Sequence, residues 1–339
     1  MTVPATVSAL FVTLGRRAAV LGAQVRAIPR RRWPLIGVGA LLLTLVVIFP
    51  VTMLFISRVD DNLDFTPPHS SLGQPHALEV TAALITRELE VNKWRANDPF
   101  FIPGGWLRAM PAFQIGMVTA LAHITGAMAA ENGAGWGPNG CEVNLEHAAG
   151  LLKYPGTVWK FDTRKSWMPT ASAEKQYRNA QRGIDAYNAK VASGIATYNR
   201  SPEALALVVA ALIGDLDDTT AAINSHMEKD LSVILDFSIT KVFYRNKGRL
   251  YANAVVMRDI GRDFEAVLAQ SNLTENWVKM VEYLAIAARS KPAVVWGARP
   301  ESGFLPNHLI AQGYPTLQAR QLATGILATL NSREPQQHP

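Results

Sequence analysis

Hydrophobic and polar positions divide this 339-residue chain into two regimes. From Leu35 to Ile56 run 22 residues without a charge, LIGVGALLLTLVVIFPVTMLFI, of which 15 are Leu, Ile, Val or Phe. At about 1.5 Å per residue a helix of this length crosses a hydrocarbon core of about 30 Å. The 15 strongly apolar residues contribute roughly −5 to −9 kcal/mol to insertion. The stretch is too long for the apolar part of a signal peptide, and no Ala-x-Ala-like site follows it. It therefore predicts an uncleaved transmembrane anchor over residues 33–57, which Pro50 would kink without excluding.

Beyond the anchor, apolar residues recur at helical spacing. They predict helices near 77–94, 111–131, 142–153, 172–193, 202–231, 233–245, 247–270, 274–289 and 315–331. Ser201-Pro202-Glu203 shows the start signals at their clearest: a capping hydroxyl, a proline in the first turn and an acid beside it. No alternating β-branched run of strand length stands out, so the expected class is all-α, with one domain over 77–331. Pro67, Pro68, Gly73 and Pro75 mark residues 58–76 as a spacer, and residues 332–339 read as a disordered tail. Between Pro111 and Ala130 lie 20 uncharged residues, enough for a second span. Gln114 and His123 oppose insertion there, so a buried central helix is the expectation and a second crossing the alternative.

Charge then fixes direction. Thirty-three Lys and Arg face 27 Asp and Glu, a net +6. Arg16, Arg17, Arg26, Arg30, Arg31 and Arg32 precede the anchor, and without them the two signs balance. A basic nucleic-acid-binding domain loses its support, and no nucleic-acid partner is expected. Asp60, Asp61 and Asp64 follow the span, so Arg30, Arg31, Arg32 and Trp33 mark its cytoplasmic end. Residues 1–32 become a basic cytoplasmic tail, read either as an interfacial helix or as a purely topogenic segment. The main domain lies outside, in the periplasm of a Gram-negative cell, with the N-terminus in the cytoplasm. The lipid bilayer is the partner of residues 33–57. The single cysteine, Cys141, excludes an intramolecular disulfide.

Candidate chemistry is sparse. His123 and His147 lack a Glu three positions before them, and no His-Glu-x-x-His occurs, so both read as satisfied histidines with no metal or cofactor expected. Asp215, Asp217 and Asp218 begin like a calcium loop but lack its Gly and Glu. The glycines of 133–140 follow a helix rather than a strand and read as a connection. Glu301-Ser302 resembles the Glu-Ser segment of lytic transglycosylases, where the acid protonates a glycosidic oxygen; the likeness covers four residues and makes Glu301 the one catalytic candidate. Two aromatic runs carry more. Trp94, Phe100, Phe101 and Trp106 lie in a stretch too broken for a helix. Tyr154, Trp159, Phe161 and Trp167 are interleaved with Lys160, Arg164 and Lys165. Such rings form either a binding surface for sugar or a partner, or the lid of the helical core.

Several strings resemble a family of uncharacterised Gram-negative inner-membrane proteins, the domain of unknown function 2333 family. They are Asn92-Lys93-Trp94 with Asn97-Asp98-Pro99-Phe100-Phe101, Gly150-Leu151-Leu152-Lys153-Tyr154-Pro155-Gly156, Pro169-Thr170-Ala171-Ser172, the stretch from Phe243 to Tyr251, and Pro306-Asn307-His308-Leu309. The resemblance covers most of residues 58–325. It implies one anchored, mainly helical extracytoplasmic domain and brings no activity or catalytic residue. The combined expectation is a non-enzymatic scaffold or accessory subunit that binds a membrane or periplasmic protein. A wall-acting glycosidase using Glu301 is the alternative. A lipid or small-ligand carrier with helix 111–130 lining its cavity is a third reading.

Overall fold

A computed structural model describes residues 29, 32–68, 72–134, 143–161, 168–228, 237–292, 295–296 and 307–332. The chain divides into two compact units, residues 1–55 and 56–339. All regular structure among the described residues is helical.

The first unit is the apolar helix. It runs as α1 (Trp33–Leu43), a π-helical turn (Thr44–Ile48) and α2 (Phe49–Ile56). The wide turn precedes Pro50, whose ring displaces the carbonyl four residues back and whose nitrogen has no hydrogen to give it. Thr44 Oγ1 donates to the Ala40 carbonyl at 2.9 Å and Thr52 Oγ1 to the Ile48 carbonyl at 2.8 Å, so both hydroxyls are satisfied within the helix. No side chain in this stretch is buried, and its 24 residues, Trp33–Ile56, are long and apolar enough to cross a membrane.

The second unit is a helical bundle: α3 (His76–Thr86, continuing as a π turn over Arg87–Val91), α4 (Ala109–Ala134), α5 (Val143–Leu152), α6 (Ala173–Ala192), α7 (Pro202–Met227), α8 (Phe237–Asp263), α9 (Glu265–Gln270), α10 (Thr274–Arg289) and α11 (His308–Asn331). Helices α4 and α8 form its centre. They cross where two glycines meet the opposing backbone: a Cβ on Gly116 would strike the Arg245 carbonyl, and one on Gly248 the Phe113 carbonyl. Phe113, Met117, Leu121 and Ile124 of α4 are buried against Leu250, Tyr251 and Val255 of α8. Within the apolar stretch Ala109–Ala130, 67% of the most apolar 18-residue window is buried inside this unit, which is the environment of a core helix. The remaining helices surround the pair, α5 with α6 on one flank and α10 with α11 and α7 on the other.

Side chains cap three of the helices, among them the one begun by Ser201 as its sequence predicts. Ser172 Oγ accepts from Lys175 N, Ser201 Oγ from Ala204 N and Asn307 Oδ1 from Ile310 N. Pro75, preceding α3, has no side-chain acceptor. The Asp263 carboxylate, from the far end of α8, takes that role and accepts from His76 N and Ala77 N, each at 2.9 Å.

Three local expectations change. The break expected at Asn246 is absent: α8 is continuous to Asp263, because Asn246 and Lys247 are buried and Gly248 is the crossing point. Helix α11 starts at His308, well before Pro315, which it carries internally. The spacer expected over 58–76 is docked over its first part. Tyr251 OH donates to the Asn62 carbonyl at 3.0 Å. Arg258 Nη1 and Nη2 donate to the carbonyls of Leu63 and Phe65 at 2.9 and 2.8 Å. Lys247 Nζ meets Asp61 Oδ2 at 2.7 Å and the carbonyls of Ala288 and Ser290 at 2.6 Å, three acceptors for three ammonium hydrogens.

Burial pushes the Lys247 amine down from its usual value, and Asp61 only partly restores it. Burial also opposes ionisation of Asp61, but Lys247 and Lys291 outweigh that and hold its carboxyl below the ordinary 3.8. A carboxyl depressed in the folded state stabilises above its unfolded value and loses that contribution as pH falls through the folded one. Asp61→Asn should therefore cost about 3–5 kcal/mol at neutral pH, because it leaves a buried ammonium without its counter-charge. The difference between variant and parent should close as pH drops below 3.8. Urea unfolding of the full chain in detergent, followed across pH, measures both; an undiminished gap in acid would contradict this account.

Candidate functional site

The two aromatic runs meet on one face of the second unit. After α3 the backbone turns at Lys93, a non-glycine residue at φ 62°. Gln114, fully buried on α4, secures this bend. Its amide nitrogen donates to the Lys93 carbonyl at 2.9 Å and to Glu88 Oε2 at 3.0 Å, and its oxygen accepts from Arg95 N at 2.8 Å. Trp94 then enters the core with 4% of its surface exposed. Its indole nitrogen donates to the Gly156 carbonyl at 2.8 Å, and its ring stands edge-on to Tyr177 at 4.9 Å. Tyr177 OH donates to the Tyr154 carbonyl at 2.6 Å, and Tyr154 OH to the Ala171 carbonyl at 2.9 Å. Burial drives the Tyr177 hydroxyl far above its usual value, so it stays a protonated donor. These three rings are structural and join the two runs at their base.

Asn97 makes the second join. Its amide donates to the Val158 carbonyl at 3.0 Å and to Glu174 at 2.8 Å. Beyond it the chain folds back through a 3-10 turn, Pro103–Trp106. Gly104 lies so close to the Asp98 carboxylate that a Cβ there would collide with it. Burial raises the Asp98 carboxyl against the lowering effect of Arg95, whose Nη1 lies 3.4 Å away.

Held on this base, the other rings face outward. Phe100 is 78% exposed, Phe101 60%, Trp106 62% and Phe161 49%. They form a chain of edge-to-face contacts: Phe100 to Phe101 at 5.6 Å, Phe101 to Trp159 at 5.9 Å and Trp159 to Phe161 at 5.5 Å. Trp106 Nε1 donates to the Phe100 carbonyl at 2.6 Å, and Lys160 Nζ lies 5.2 Å from the Phe161 ring centre. Of the eight aromatic candidates, Trp94 and Tyr154 thus belong to the core. Phe100, Phe101, Trp106, Trp159 and Phe161 form one surface, and Trp167 lies outside the described residues. Glu301, Arg30 and Arg31 also lie outside them, while Arg32 and Trp33 begin the apolar helix.

His123 does not stand alone, a pairing the sequence spacing gave no sign of. Its Nδ1 lies 2.6 Å from Asp215 Oδ1, a fully buried carboxylate whose other oxygen accepts from Asn253 at 3.3 Å. This pair bridges α4 and α7. Among the described residues no group of three or more His, Cys, Asp or Glu is arranged to hold a metal ion. No family model matches the chain, nor does any curated protein or solved structure.

The Asp215 hydrogen bond raises the His123 pKa above its ordinary 6.5, against burial. A histidine raised in the folded state stabilises fully below its unfolded pKa and loses that contribution as pH rises through the folded value. The parent chain should therefore weaken from pH 6 towards pH 9 relative to His123→Gln. Parallel thermal unfolding curves for both proteins over that range would refute the ion pair.

Proposed function

We propose that this chain is a single-pass membrane protein whose helical domain, on the periplasmic side, works as a non-enzymatic docking subunit for another envelope protein. The observation that carries the reading is the exposed ring chain Phe100–Phe101–Trp159–Phe161 with Trp106 beside it, fixed to the core at Trp94, Asn97 and Gln114. Phe, Trp and Tyr are enriched at protein interfaces, and isolated exposed apolar residues are ordinary where a contiguous patch is not. Covering rings of about 200 Å² each at these exposures removes on the order of 500 Å² of apolar surface, or about 12 kcal/mol gross. That is comparable with the ~4–15 kcal/mol that association costs, as a reversible interface requires.

The orientation rests on the six arginines ahead of the apolar helix and the aspartates after it. The resemblance to the domain of unknown function 2333 family rests on the strings quoted above. Several of these, Asn92–Trp94, Asn97–Phe101 and Tyr154–Gly156, build the aromatic face and its base.

A photo-crosslinking residue placed at Phe101 or Trp106 in the full chain, in cells, should yield one dominant protein adduct. The same probe at Ile195, exposed on the α6–α7 connection, should not. Phe101→Ser/Trp106→Ser should abolish co-purification of that protein in mild detergent while leaving the unfolding temperature within about 2 °C, since neither ring is buried. Equal adduct patterns from both positions, or a strictly solitary protein, would defeat the proposal.

A further inference from the structure

The loop that carries Phe100, Phe101 and Trp106 also lines a cavity of about 420 Å³. Its wall comprises loop 95–108, the start of α4 and the α8 stretch around Lys241 and Arg245. The unit as a whole carries nearly equal charge of both signs, yet this cavity does not. Arg95, Arg108, Lys241 and Arg245 line it against one acid, Asp98, and that acid is engaged by Arg95. Among the described residues neither Lys241 nor Arg245 has an ion-pair partner, and Arg95 Nε is buried without a hydrogen-bond partner. Burial, and the repulsion of Arg249 one turn on, hold the Arg245 guanidinium below its usual value. Leu107, Ile115 and Val242 supply an apolar wall beside the cations.

A concave site of this volume suits a small ligand, and guanidinium groups beside an ammonium match phosphoryl oxygens in geometry and charge. We propose that the cavity binds a phosphate ester, with Arg108, Lys241 and Arg245 around the phosphoryl group and the alcohol portion against Leu107, Ile115 and Val242. The same chemistry is offered by a lipid headgroup and by a soluble phosphate ester. The proposal goes beyond the docking reading and does not rest on it, since Phe100, Phe101 and Trp106 are not among the lining residues.

The test uses the full chain in neutral detergent, titrated with glycerol 3-phosphate, with dihexanoylphosphatidylglycerol below its micelle concentration, and with glycerol. Binding is read by native mass spectrometry and by intrinsic fluorescence, Trp106 being on the same loop. Saturable binding of one or both phosphate compounds, with none of glycerol, is expected, and which of them binds identifies the source. Lys241→Gln/Arg245→Gln should weaken that binding about a hundredfold, roughly tenfold for each charge-assisted contact removed. Arg245→Lys should recover part of the loss. Lys175→Gln/Arg182→Gln removes two exposed charges from α6 and should change affinity less than about twofold, the change expected of long-range screening alone. Unchanged unfolding temperatures separate lost binding from lost folding. Saturation by neither phosphate compound, or equal weakening in both double variants, overturns the proposal.

Discussion

The buried cations Arg87 and Lys247, with the half-buried Arg258, hold the backbone that follows the apolar helix, and the order of the second unit depends on that clamp. Arg87, Lys247 and Arg258 together with Tyr251 engage the carboxylates of Asp60 and Asp61 and the carbonyls of Asn62, Leu63 and Phe65. Arg87 also lies 4.9 Å from the Phe65 ring centre and 5.2 Å from that of Tyr251. Taking such charges out of water costs several kcal/mol each, so they stay ionised only where every hydrogen has an acceptor. Residues 60–65 provide part of those acceptors, beside Glu88 for Arg87 and the Ala288 and Ser290 carbonyls for Lys247. Without them α8 would carry unpaired charge into the centre of the bundle, at the crossing where Gly116 and Gly248 leave no room for rearrangement.

The same network reaches the aromatic face. Arg87 Nε and Nη2 donate to Glu88 Oε1, at 3.0 and 2.9 Å, and Asn92 donates to the same oxygen at 2.8 Å. The second oxygen of Glu88 accepts from Gln114, and Gln114 fixes the backbone on both sides of Trp94. An unbroken set of hydrogen bonds thus runs from the segment after the apolar helix, through Arg87, Glu88 and Gln114, to the base of loop 95–108. Arg87, Glu88 and Gln114 are buried, so losing any one of them strands its neighbour. The loop that presents Phe100, Phe101 and Trp106 is consequently as well determined at its root as the helices themselves.

Most helices were legible because their apolar faces repeat at helical spacing and some starts carry capping residues, as at Ser172 and Ser201. Where the reading failed, a local signal was overridden by tertiary contacts. Asn246-Lys247-Gly248 looks like a break by polarity and by glycine, but the three residues are respectively a buried donor, a neutralised ammonium and the contact point with α4. Pro67 and Pro68 signalled a spacer, whereas Asp61, just ahead of them, pairs with the buried Lys247 of α8. That pairing has no signature in sequence spacing, and neither does the alignment of Asp263 with the start of α3, or of His123 with Asp215. The aromatic runs were visible as a group. Their division into core and surface was not, because Trp94 and Trp106 differ only in what faces them: the Gly156 carbonyl and Tyr177 in one case, solvent in the other.

That division bears on what the face can do. An exposed ring on a mobile loop must lose conformational freedom before it contributes to binding, at about 0.5–1.5 kcal/mol for each immobilised side chain. Here much of that cost is met during folding. Trp106 is tied to the Phe100 carbonyl, Phe101 is braced by Trp159, and the loops beneath are joined at Asn97 and Trp94. A helical domain gains no stability from exposing large rings to water, so the fold that carries them does not by itself account for an arrangement that holds them outward and fixed.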